Sequence, residues 1–283
     1  MSRRALALSI ALVVSLAGCT GAGGAPTPSS TPSSSSARDA TPSPTPAPVG
    51  LTVYAAASLK GALDATKPAY EAANPGTTLT ISIDSSAALR TQIEQGAPAD
   101  VFLSADTKNA QALVDAGLAD GAAVDFAANE LVVIVPTDNP ADIKTPADLA
   151  TTGVTIIAAG DEVPITKYAT QLVDTLAKEP GYPADFAASY QANVVSKEDN
   201  VKAVVAKIEL GEGDAAIVYV TDAKISTKVA SVKVPDSANV VATYAGVVVT
   251  SSPSPDAAAA FLAWFAGPDG QAILSGFGFL PAS

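Results

Sequence analysis

The chain predicts an α/β fold of parallel strands covered on both faces by helices. Three observations carry that reading. Short strand-like runs alternate with helix-period segments from residue 50 to the end. Several runs, 131–135 and 215–220 above all, are apolar at every position or nearly so, as strands buried on both sides are. The 234 residues of 50–283 suffice for one large core or two smaller ones.

Each element follows from its local pattern. Residues 51–55 form a β run; Ser58 follows, and 59–73 carry Leu59, Leu63, Ala65 and Tyr70 at helical spacing. Residues 79–83 alternate with period two. Asp84, Ser85 and Ser86 then cap a helix over roughly 87–95, with Leu89 and Ile93 on its buried face. A strand at 101–104 leads to a helix over 106–116, and the apolar run 131–135 ends at Pro136. After a strand at 154–158, Val163 and Pro164 open a helix to about 178, because proline suits a first turn. A helix over 201–210, a strand at 215–220, one or two strands within 238–250 and helices over 256–265 and 268–275 complete the chain. Ligands of such folds sit beyond the carboxyl ends of strands, so the strand-to-helix turns are where a site is expected.

Composition removes several classes of chemistry. Histidine is absent and Cys19 is the one cysteine, so there is no disulfide framework and no material for thiolate or imidazole metal sites. Ser-His-Asp and Cys-His nucleophiles are excluded for the same reason. Asp100, Asp106 and Asp222 are the candidates for acid–base work or a hard-metal site, but their spacing matches no such motif. Asp100 and Asp222 are expected to cap turns or pair with backbone amides. The expectation is a protein that is not an enzyme and carries no cofactor.

The first 18 residues read as a secretory signal peptide: Arg3 and Arg4, an apolar stretch too short to span a bilayer at ~20 residues, then small residues. Leu16-Ala17-Gly18-Cys19 resembles the lipobox of bacterial lipoproteins, which implies lipidation of Cys19. Residues 19–49 are dominated by Gly, Ala, Pro, Ser and Thr and read as a disordered tether. The folded part is therefore expected outside the cytoplasm, lipid-anchored at the membrane, in a periplasm or on the outer face of the cytoplasmic membrane. Removal of the leader leaves 14 basic against 28 acidic residues. So acidic a body repels nucleic acid, and any anion it binds must be held by local dipoles.

Four turns offer such dipoles. Ala55-Ala56-Ala57-Ser58, Ile83-Asp84-Ser85-Ser86, Glu162-Val163-Pro164-Ile165 and Glu198-Asp199-Asn200-Val201 each lead into a helix. A helix start presents unpaired N–H groups and about half a positive charge. Hydroxyls at Ser58 and Ser86 add donors. If these ends converge, they form a site for a small, fully ionised anion built from neutral groups. If they do not, the serines are simple helix caps.

Val53-Tyr54-Ala55-Ala56-Ala57-Ser58-Leu59, Gly96-Ala97-Pro98-Ala99-Asp100-Val101-Phe102, Ile217-Val218-Tyr219-Val220-Thr221-Asp222 and Gly276-Phe277-Gly278-Phe279 resemble the molybdate-binding proteins of bacterial ABC transporters, across essentially all of 50–283. That resemblance implies a two-lobed periplasmic-binding-protein fold of type II, each lobe a mostly parallel sheet flanked by helices. Lobe one would comprise 50–130 and 237–283, lobe two 131–236, with hinges near 129–131 and 235–239. It implies an oxyanion, molybdate or tungstate, held by Ser58, Ser86, the amides of Ile165 and Val201, and the phenol of Tyr219. Asp84 would stand near the anion, and Ser85 could take the place of Ser86. Implied partners are the transporter permease and, through the lipid anchor, the membrane; the protein is expected to be a monomer. The alternatives are another oxyanion such as sulfate or thiosulfate, and a ligand-free surface lipoprotein.

Overall fold

A computed structural model describes residues 48–282; the leader, Cys19 and nearly all of the tether lie outside them. The chain runs β1 (Val49–Ala56), a 3-10 turn (Ala57–Leu59), α1 (Lys60–Ala73), β2 (Thr77–Asp84), α2 (Ser86–Glu94), β3 (Val101–Ser104), α3 (Thr107–Asp115), β4 (Val124–Asn129) and β5 (Leu131–Pro136). It continues through β6 (Ile156–Ala159), α4 (Pro164–Leu176), α5 (Phe186–Asn193), β7 (Val194–Glu198), α6 (Val201–Glu209), β8 (Ala216–Tyr219), α7 (Val220–Ile225) and β9 (Val229–Val232). It closes with β10 (Ala242–Val248), α8 (Pro255–Ala266) and α9 (Pro268–Phe277).

Among the described residues the first sheet has the order β2-β1-β3-β10-β4. β1 runs parallel to β2 and β3, with Val53 opposite Ile81 on one side and Val101 on the other. β10 is antiparallel to both β3 and β4. A second sheet, β8-β5-β9, is antiparallel throughout, and β6 pairs in parallel with β7. A parallel bridge from Ile156 to Ala215 links that pair to the start of β8.

The first sheet is thus mixed and the second antiparallel, rather than each mostly parallel, and the reason is connectivity. A helix between strands returns the chain to the same end of a sheet and gives parallel neighbours. β4 passes into β5 through Glu130 alone, and β9 reaches β10 without a helix. Strands that arrive by such direct crossings enter from the opposite end. The crossings also place β4 in one sheet and β5 in the other.

Burial follows the strand period of two. Val53 and Leu103 face one hydrophobic cluster, while their neighbours Tyr54 and Phe102 face another beneath α2 and α3 with Leu89, Ile93 and Leu113. All six residues of β5 are buried. Burying a Leu, Ile or Val side chain contributes about 1.5–3 kcal/mol, so this strand anchors its sheet. Gly246 in β10 lets α8 approach: a Cβ there would stand 2.8 Å from Leu262 and 2.9 Å from Leu103.

The sequence pattern does not predict β4, α5, β7, α7, β9 or a 3-10 helix over Pro146–Ala150. β7 alternates between half-buried and exposed residues and presents no apolar run. In α5 only Phe186 and Tyr190 are buried, too few for a stripe. The apolar run 215–220 hides a switch from strand to helix at Val220.

Candidate functional site

The five residues expected at the site, Ser58, Ser86, Ile165, Val201 and Tyr219, all line one small cavity of about 10 Å³. Ser58 lies in the 3-10 turn after β1. Ser86 is the first residue of α2, Val201 the first of α6 and Ile165 the second of α4, after Pro164. N–H groups in a first turn have no partner within their own helix. Tyr219 is the last residue of β8. The residues come from elements of both larger sheets and from the turns after β6 and β7, so the cavity exists only through the tertiary fold.

The caps orient these helix starts. Ser85 Oγ accepts the Ala88 N–H at 3.2 Å, and Asn200 Oδ1 accepts the Ala203 N–H at 3.1 Å. Ser86 has a different task, because its Oγ accepts the Ala105 N–H at 3.0 Å. With that lone pair engaged, its own hydrogen is free to point elsewhere. Ser58 Oγ stands 2.8 Å from the Tyr244 hydroxyl. Ser85 lines the cavity as well, but its oxygen is committed to the cap.

Tyr219 is 1 % exposed, and its hydroxyl has no hydrogen-bond partner. A buried hydroxyl left unpaired costs about 1–3 kcal/mol, so its presence calls for a reason. Burial above all, then the neighbouring Tyr244, Tyr168, Asp222 and Asp106, pushes this phenol well above its ordinary range. It is a neutral donor at any physiological pH. Its ring meets those of Tyr244 and Tyr168 edge-on, at 5.7 and 6.4 Å between centroids.

Among the described residues no Lys, Arg, Asp or Glu lines the cavity. Asp84, expected beside the site, faces an outer groove. Its carboxylate accepts the Ser85 N–H at 2.7 Å and the Asn200 side-chain amide at 3.2 Å. The space is therefore lined by hydroxyls, unpaired amides and apolar walls, at the positive ends of helices. That lining attracts an anion and offers a cation nothing. A larger cleft of about 70 Å³ lies on the other side of Ile165, but its Asp161 and Lys197 are paired with each other at 2.5 Å.

The three other aspartates are spread through the framework. Asp100 accepts the Thr52 N–H at 2.6 Å and the Ser252 hydroxyl. Asp106 caps α3 through the Asn109 N–H at 2.9 Å. Asp222 is fully buried, stands 3.5 Å from Lys202 and faces the backbone N–H of Tyr219, the residue that caps its helix. Sequence reasoning also missed Tyr244, Asn129 and the bond from Asn200 to Asp84. Each of these contacts joins residues more than 90 positions apart, which leaves no local signal.

The profile described as bacterial extracellular solute-binding protein matches residues 51–280. The chain is 35% identical over 230 residues to the molybdate-binding protein ModA of Mycobacterium tuberculosis, covering 81% of this chain and 84% of that one. The solved substrate-binding domain of a putative molybdenum ABC transporter from Clostridium difficile superposes with a TM-score of 0.62 at 29% identity, over 83% of this chain and 100% of that domain. The sulfate-binding protein SubI of M. tuberculosis shares the fold, with a TM-score of 0.73 at 22% identity over 82% of this chain and 87% of that one. The chain belongs to the bacterial extracellular solute-binding proteins, and within them to the family of ModA.

Proposed function

We propose that this protein captures molybdate, and its near-isostere tungstate, outside the cytoplasm and delivers it to an ABC transporter permease. The anion is held by the hydroxyls of Ser58, Ser86 and Tyr219 and by the amides of Ile165 and Val201. The observation that carries this reading is the buried, unpartnered hydroxyl of Tyr219 in a cavity without charged residues. Hydrogen bonds to a charged acceptor contribute about 1.5–3 kcal/mol each, so five reach the ~−8 kcal/mol of micromolar binding or better. The relatives named above support the choice of molybdate, and the fold shared with SubI makes sulfate the competitor to test.

Residues 50–130 with 237–283 form one lobe and 131–236 the other, joined near 129–131 and 235–239. Ligand closes the lobes, and the closed form is what the permease recognises. A signal peptide over 1–18, lipidation at Cys19 and the tether over 19–49 would hold this lobe pair at the membrane outside the cytoplasm, in a periplasm or on the outer face of the cytoplasmic membrane. Among the described residues no helix is long and apolar enough to cross a membrane.

Calorimetric titration at pH 7 with molybdate, tungstate, sulfate and phosphate tests the proposal. Tight one-to-one binding of the first two, with the others silent, is expected. Sulfate in place of molybdate would reassign the ligand, and silence for all four would overturn the transport reading.

A further inference from the structure

The Ser58–Tyr244 contact lets either hydroxyl donate, and the residues behind it decide which one does. Asn129 ends β4 and is fully buried. Its Oδ1 accepts the Glu130 N–H at 3.0 Å, and a backbone N–H can only donate. The other end of this amide is therefore the NH₂ group. It donates to the Thr221 hydroxyl at 2.8 Å and reaches the Tyr244 hydroxyl at 3.4 Å.

A hydroxyl that accepts from behind sends its single hydrogen forward. Tyr244 thus donates to Ser58 Oγ, and the Ser58 hydrogen is left for the cavity. Burial keeps the Tyr244 phenol protonated by pushing it well above its ordinary range. The Ala105 N–H does the same for Ser86 in one step. The Tyr219 hydroxyl has no hydrogen-bond partner among the described residues.

We infer that Tyr244 and Asn129 are positioning residues that fix Ser58 as a donor, and thereby bias the cavity toward an oxyanion without a proton over one that carries a proton. The inference rests on the oxyanion reading and deepens it. A protonated anion needs an acceptor in the wall, and a Ser58 hydroxyl that accepts from Tyr244 has one lone pair occupied and turns its hydrogen, not an acceptor, toward the bound oxygen. An anion without a proton, such as molybdate at neutral pH, loses nothing.

The test is Tyr244→Phe in the full chain, titrated with molybdate and with phosphate at pH 7, with molybdate as competitor where phosphate binding is weak. Removing the phenol frees Ser58 to rotate and accept. Molybdate should weaken about 10-fold while phosphate holds or gains, so the molybdate-to-phosphate preference falls at least 10-fold. Equal weakening of both anions would mean that Tyr244 only packs, and would overturn the inference; so would an unchanged preference. Asn129→Ala gives a second route that leaves the Tyr244 ring in place. It should lower the same preference by a few-fold, with thermal melting confirming the fold. If the wild type binds neither anion, the oxyanion reading itself fails, and this inference falls with it.

Discussion

The side-chain amide of Asn200 donates to the carboxylate of Asp84 at 3.2 Å, across 116 positions of chain. Asp84 ends β2, and Asn200 caps α6. One amide thus steadies the Val201 end of the cavity through Oδ1 and ties it to the Ser86 end through Nδ2. Asn200→Asp separates the two tasks, because aspartate caps a helix as well as asparagine does. It also sets a second carboxylate against Asp84. Anion affinity should fall by about 1–2 kcal/mol, roughly 5- to 30-fold. Small-angle scattering should show less compaction on adding molybdate than the wild type shows. Unchanged affinity and compaction would remove this bond from the closing step.

Ser58→Ala and Ser86→Ala each delete one donor from the cavity. Each should weaken molybdate by ~1–3 kcal/mol, and thermal melting confirms that each variant is folded. Titration calorimetry reads both variants. Wild-type affinity in both would put the site elsewhere.

Tyr219→Phe separates function from stability. The hydroxyl is buried without a partner, so its loss should stabilise the ligand-free protein by about 1 kcal/mol or leave it unchanged. The same change should weaken the anion by ~1–3 kcal/mol. Denaturant melts with and without molybdate check both halves. A variant that is less stable without ligand would show that the hydroxyl serves the fold.

Asp222 makes stability depend on pH. Burial raises its carboxyl from 3.8 to about 6, against the opposing pull of Lys202. A raised carboxyl binds protons in the folded state that the unfolded chain has released. Stability contributed by this group therefore falls as pH rises from about 4 to about 6, then stays flat. The loss amounts to about 3 kcal/mol at most. Asp222→Asn should be the more stable protein above pH 6, with the difference closing near pH 4. Thermal melts of both across that range decide it, and a constant difference would mean that Asp222 keeps an ordinary carboxyl.

The helix starts at Ser58, Ser86, Ile165 and Val201 were legible because caps and first-turn proline are local signals, settled within four residues. Tyr219 was legible only by resemblance, since a tyrosine ending an apolar strand ordinarily packs. The antiparallel sense of β10 was hidden because periodicity reports which face is buried and not the direction of the neighbour. Asn129, Tyr244 and the Asp84–Asn200 bond were hidden for a related reason. Their meaning lies in which distant group stands behind them, and composition does not encode that.

β10 sits between β3 and β4, and it is the only sheet neighbour of β4 among the described residues. Further support for β4 comes from later still, through the Ala128–Leu280 bridge and the 2.6 Å bond from Gln271 to the Phe126 carbonyl. Chains cut before Ala242 should leave 124–129 open to hydrogen exchange, and the complete chain should protect them. A ribosome makes the strand β4 needs more than a hundred residues after β4 itself, so the first sheet stays incomplete, with one edge unpaired, until β10 has emerged.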